Sequence, residues 1–226
     1  LVQTPEEMGA QVDAYMAVDG KMYFEKAFVA GSDVYANGAD RTQRMLEADL
    51  GQVERLEEEG IDPIEIADGL NKGNGINVLG LHGDRSLIYR KRSESPLTSK
   101  RLGQFVQPEK VRGSVVVNFG SHGGLNVDGE EGEEEQDLAQ VFASKGVGAY
   151  VATTARAGAS NSSIAFTEDL GGRVIHGLIS GKESATVGEA VREAKREYFI
   201  NEHNGVENSA LSDEELRQNI GEDEKT

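Results

Sequence analysis

Cysteine is absent from all 226 residues, so neither a disulfide nor a cysteine-ligated metal site can form. Histidine is scarce. The four that occur are scattered, with no His-x-x-x-His or related spacing, which argues against a zinc centre. No long unbroken apolar run reads as a membrane span. No basic stretch leads into an apolar one, so no signal peptide is read. The chain opens at Leu1 rather than Met, so this absence fixes no location; the cytoplasm is the nearer expectation. Positive charge is also short, with 23 Lys and Arg against 40 Asp and Glu and a net charge of -17. Nucleic acid and anionic membranes would be repelled and are not expected as partners. Solubility, a salt-rich habitat or an acidic host proteome would each explain the excess. An acidic surface that gathers basic substrates is the functional explanation, and it weighs less.

What is present is a 37% apolar fraction gathered into short Val, Ile and Leu runs. That is enough to bury a core, so global disorder is not expected. The length suits one large or two small domains. No internal repeat appears.

Thr4-Pro5-Glu6-Glu7 reads as a helix start, followed by Met8, Val12, Tyr15 and Met16 at helical spacing. Residues 26–30 read as a strand, 39–50 as a helix closed by Gly51, and 53–59 as a further helix ending at Gly60. Asn71 to Gly75 is a turn. Ile76 to Leu81 is an apolar run ending at His82-Gly83-Asp84. Residues 85–108 are polar and carry no clear pattern. Ser114 to Phe119 is a second apolar run, short and β-branched, ending at Gly120-Ser121-His122-Gly123-Gly124. An acidic loop is expected over 128–135, a helix over 138–145 closed by Gly146, and a strand over 149–154. A long helix is expected over 162–179, with Ile164, Leu170, Val174 and Leu178 near one face and weakened by Gly171-Gly172. A last helix is expected over 187–200. Residues 202–226 read as an acidic tail or linker after a domain spanning 1–201.

Strands alternating with helices predict an α/β fold with a mostly parallel sheet and helices on both faces. In such sheets ligands sit beyond the carboxyl ends of the strands. That rule points to the loops at His82-Gly83 and Gly120-Ser121. Imidazole titrates near neutrality and can move a proton between nucleophile and leaving group. The amides of Gly83 and Ser121 are candidate oxyanion donors, and Gly120 permits a sharp turn before residue 121. Spacing alone leaves a structural role for these residues open.

An apolar run into His-Gly followed by another into Gly-Cys resembles the signature of the clan CD, caspase-like cysteine peptidases. The chain is most similar to the gingipain-like group among them. Residues 115–127, VVVNFGSHGGLNV, resemble that group's segment around the nucleophile, and DLAQVFASKGVGAYVATTA and TVGEAVREAKREYF extend the likeness. LVQTPEEMGAQVDAY and AFVAGSDVYANGAD are similar to the group's start. The resemblance covers most of residues 1–200. It implies a caspase-like three-layer sandwich, a catalytic His82, Ser121 in the place of the nucleophilic cysteine, and an oxyanion hole from the amides of Gly83 and Ser121. His122 becomes a neighbour that packs or orients the loop. No cofactor is implied. The implied partner is a protein or peptide substrate, with further domains or a regulatory partner open.

A serine hydroxyl is not ionised near neutral pH as a thiol can be. The Ser121 form is therefore expected to be inactive or nearly so, through either a deliberate exchange or a natural pseudo-enzyme. Relatives that cut after Arg or Lys use an acidic pocket residue, and Asp84, Asp128, Glu130 and Glu131 stand near the two loops in sequence. Arg90-Lys91-Arg92 is a candidate activation-cleavage site, weighed below a plain surface loop. A serine hydrolase would need a Gly-x-Ser-x-Gly elbow, which is missing. A nucleotide-binding domain would need a Gly-x-Gly-x-x-Gly or phosphate loop, also missing.

Overall fold

The computed structural model describes residues 5–17, 22, 24–31, 33–56, 63–89, 97–125, 136–157, 164, 166–180 and 186–208. Five short strands form one sheet: β1 (Ala27–Gly31), β2 (Val53–Leu56), β3 (Ile76–Gly80), then Val115–Asn118 and Ala149–Ala152. Between β3 and the fourth of these lies a small antiparallel sheet of β4 (His82–Gly83), β5 (Leu87–Tyr89) and β6 (Leu97–Thr98). The last two strands of the main sheet are therefore β7 and β8. The main sheet has the order β2-β1-β3-β7-β8, with every pairing parallel.

The apolar runs are continuous because both faces of this sheet are covered. Phe28, Leu79 and Val116 point to one side. There they meet Ile66 and Leu70 of α3 (Pro63–Leu70), Leu102 of α4 (Ser99–Phe105) and Val141 and Phe142 of α6 (Leu138–Ser144). Val29, Val78 and Val117 point to the other. There they meet Leu46 of α2 (Ala36–Leu50), Val174 and Ile175 of α7 (Phe166–Ile179) and Ala190 and Ala194 of α8 (Val187–Asn208). The three-layer α/β sandwich with a parallel sheet, expected from the sequence, is the architecture observed. Two helices complete the described elements: α1 (Pro5–Ala17) and the single turn α5 (Pro108–Val111).

Helix α2 stops where Gly51 adopts φ 72, a conformation glycine takes without cost. Its amino end is held by a buried carboxylate. The Gly38 amide donates to Glu168 on α7 at 3.1 Å, which satisfies a backbone donor in the first turn of the helix. Gly38 also has to be glycine, since a Cβ there would stand 2.1 Å from Glu168 Oε1.

The sequence expectations change at residues 53–56 and at the end of α8. Residues 53–56, expected as helix, form an edge strand paired from Ala27↔Val53 to Ala30↔Leu56. The helix preference of Glu, Arg and Leu amounts to only a few tenths of a kcal/mol per residue, and the exposed edge of β1 outweighs it. Among the described residues of 85–108, β5 and β6 pair antiparallel and α4 follows, with α5 beginning at Pro108. Helix α8 continues to Asn208, past the expected end at residue 200. The helix expected from Thr4-Pro5 onward is α1, and Met8, Val12, Tyr15 and Met16 on it are each more than half exposed. The acidic loop and the Arg90-Lys91-Arg92 candidate lie outside the described residues.

Candidate functional site

The order of the main sheet reverses between β1 and β3. From β1 the chain moves outward to β2, then returns past β1 to β3 and on to β7 and β8. The crevice beyond the carboxyl ends of the strands at such a reversal is where open α/β sheets bind ligands. His82 follows β3 at that point. Ser121 follows β7, the strand next to β3: Leu79 pairs with Asn118, and His82 and Ser121 each come three residues after that last pair. The Phe119 amide still donates to Leu79 O at 2.9 Å, so the two chains leave the sheet together.

Gly120 sets how closely these chains approach. A Cβ on it would stand 2.6 Å from Leu81 O and 3.8 Å from Gly83 N. Only a residue without a side chain lets the Ser121 loop lie against the His82 loop. Gly83 pairs with Ile88 in the hairpin, and a Cβ there would meet Leu87 O at 2.5 Å. Both glycines singled out in the sequence are thus required by contact between backbones.

The loop after β7 is fixed from below. Asn118, 5% exposed, accepts from the Gly120 amide at 2.8 Å and donates through Nδ2 to the Tyr150 hydroxyl at 3.0 Å. Tyr150 in turn donates to Gly123 O at 2.8 Å, and its ring stacks on Phe142 at 5.0 Å. Burial pushes the Tyr150 phenol well above its ordinary value, against the opposing hydrogen bond from Asn118, so it stays a neutral donor. The Thr153 hydroxyl donates to Gly120 O. His122 takes φ 55, the single positive φ outside glycine among the described residues. Its buried Nδ1 meets no hydrogen-bond partner among them.

His82 and Ser121 are half-buried. The His82 ring meets Tyr35 edge-on, with centroids 5.4 Å apart and planes at 76°. Tyr35 is 2% exposed and sits over Gly31 and Gly80, which pair in register at the ends of β1 and β3. Ser121 Oγ accepts from the Ala157 amide at 3.0 Å. The Asp84 carboxylate accepts from the Ser86 amide at 2.8 Å, which engages it in the turn between β4 and β5. Asp128, Glu130 and Glu131 lie outside the described residues. Tyr35, Tyr150 and Ala157 were not singled out in the sequence. Asn118 carried a signal, as the one polar residue within the run Val115 to Phe119.

No protein-family model matches the chain, and no curated protein matches it. Among solved structures, the chain is similar to the Arg-specific cysteine proteinase gingipain R, with a TM-score of 0.64 at 11% sequence identity. The match covers 85% of this chain and 47% of that one, so the chain spans about half the length of the protein it resembles. At this identity the likeness speaks to the fold: a caspase-like parallel sheet between helical layers.

Proposed function

We propose that this chain carries a cysteine-peptidase-type domain whose catalytic pair is His82 and residue 121. One observation carries the proposal: His82 and Ser121 each follow by three residues the last pair, Leu79↔Asn118, of two adjacent central strands, beside the reversal of strand order. The likeness to gingipain R supports the same assignment through the fold.

With sulfur at position 121, the thiolate attacks the scissile carbonyl carbon. The oxyanion that forms faces the amides of Gly83 and residue 121. The C–N bond then breaks, and the His82 imidazolium gives its proton to the departing amine. Water, deprotonated by His82, hydrolyses the thioester and restores the thiol. With serine at 121 the first step stalls, because the hydroxyl keeps its proton near neutral pH and no Asp or Glu is hydrogen-bonded to it among the described residues.

The substrate class is a protein or peptide. Gingipain R is described as Arg-specific. A basic residue at the cleaved position suits the -17 charge of this chain, with Asp84, Asp128, Glu130 and Glu131 as pocket candidates. The test is Ser121→Cys assayed on Arg, Lys and Asp reporter peptides. Turnover is expected where the Ser121 chain has none, and His82→Ala in that background should lower it by at least ~100-fold. A folded Ser121→Cys variant inert on every reporter would refute the proposal. It would favour a second function, a natural pseudo-peptidase that holds peptides or a partner in the same crevice. The serine itself is the observation behind that alternative.

A further inference from the structure

The chains leaving β7 and β8 are stitched together well beyond the sheet. The Gly124 amide donates to Thr153 O at 2.7 Å, the His122 amide donates to Ala155 O at 2.9 Å, and the Thr153 hydroxyl donates to Gly120 O. The next contact in this series runs from backbone to side chain. The Ala157 amide donates to Ser121 Oγ at 3.0 Å, while the Ser121 hydroxyl stands 3.5 Å from Ala157 O, at the outer limit of a hydrogen bond. The well-formed bond is therefore the one that Oγ accepts. It lies on the β8 side of residue 121, whereas His82 follows β3 on the other side of β7.

We infer that the Ala157 amide is a third polar group of the catalytic centre, one that holds the nucleophile atom of residue 121 and stabilises its anion when that atom is sulfur. This rests on the assignment of residue 121 as nucleophile. A hydrogen bond donated to a thiolate favours the charged form, and a backbone N–H does so at every pH because it does not titrate. The titratable and charged groups near residue 121 are His82 at the end of β3, His122 beside it, Tyr150 beneath the loop through Gly123, and Arg156 next to Ala157. In the chain as it stands, the same amide holds a neutral hydroxyl and leaves it protonated. The sequence offers no sign of this group, because an alanine amide is invisible to residue-type patterns.

The absence of cysteine makes the test clean, since Ser121→Cys creates the only thiol in the chain. Its ionisation is followed by the pH dependence of iodoacetamide alkylation, without a peptide substrate. We expect a midpoint below the ~8.5 of a free thiol. Adding Ala157→Pro removes the donor. The midpoint should rise by about one unit and the alkylation rate at pH 7 should fall up to about tenfold. Ala157→Gly keeps the amide and should leave the midpoint in place. The proline shift should persist with His82→Gln, which separates it from the imidazole. An unchanged midpoint in a folded Ala157→Pro variant overturns the inference, as does a shift that vanishes with His82→Gln. Should proline prevent folding, amide hydrogen exchange in the Ser121 chain decides. Ala157 should exchange at least about tenfold faster in Ser121→Ala, and equal rates overturn the inference. A proline shift without any peptide turnover would sink the peptidase assignment and leave the role of this amide standing.

Discussion

Two neighbouring glycines in α7 should respond to the same substitution with opposite signs. Gly171 and Gly172 both lie inside the helix, where alanine is favoured over glycine by about 1 kcal/mol. Around Gly172 nothing stands within 4 Å of a built Cβ, so Gly172→Ala should gain most of that preference. Around Gly171 the Cβ would fall 2.1 Å from Phe119 Cε1 and 2.7 Å from Cδ1. Phe119 is 1% exposed and its ring is packed in the core, so neither partner can step aside freely. Overpacking of this kind costs about 1–3 kcal/mol. The severity of the overlap puts the cost at the upper end, so the net loss should be about 1–2 kcal/mol after the helix gain. At roughly 2–4 °C per kcal/mol for a domain of this size, Gly172→Ala should raise Tm by about 2–4 °C and Gly171→Ala should lower it by about 2–8 °C. Scanning calorimetry reads both. Phe119 immediately precedes Gly120-Ser121, so Gly171→Ala should also change alkylation of a Ser121→Cys thiol, whereas Gly172→Ala should not. Equal stabilisation by the two alanines would refute the close packing of α7 on the strand that carries the site.

Three further outcomes follow from the same geometry. Burial alone would raise the Asp169 carboxyl, but hydrogen bonds from Arg173 at 2.7 Å and Arg41 at 2.6 Å hold it below its ordinary value. The folded chain then binds fewer protons than the unfolded one, so this contribution is complete above the ordinary carboxylate range and fades as pH falls through it. Asp169→Asn should cost about 1 kcal/mol at pH 7 and flatten the acid limb of a urea-denaturation pH profile; an unaltered profile would count against the clamp. Tyr150→Phe removes the donor to Gly123 O and the acceptor for Asn118, and should lower the urea midpoint by about 1–2 kcal/mol of stability at unchanged slope. Gly120→Ala forces a Cβ to 2.6 Å from Leu81 O and should cost about 1–3 kcal/mol by the same measurement; a neutral result would mean that the His82 and Ser121 loops do not touch.

Much of the architecture was readable before any coordinates. The runs at 76–81 and 114–119 are too short and too β-branched for helices and lack alternation, which specifies strands buried on both faces. Their ends at His82-Gly83 and Gly120-Ser121 followed from the rule that parallel sheets present function at strand carboxyl ends. Local preference misled at 53–56, where Val-Glu-Arg-Leu became a strand because the edge of β1 was open to pair. The hairpin through β5 and β6 escaped notice because its strands are two or three residues long, below the length at which alternation can be counted.

The sequence by itself determined which residue types stand at the strand ends and that position 121 holds a hydroxyl. Composition and periodicity are local, and they suffice for that. Tertiary structure alone decided the register Leu79↔Asn118, three residues before His82 and Ser121 on adjacent strands. It also decided the Tyr35 ring against His82 and the Ala157 amide on Ser121 Oγ. The physical reason is that pairing between strands 39 residues apart, and hydrogen bonds made by backbone atoms every residue shares, leave no mark on side-chain identity.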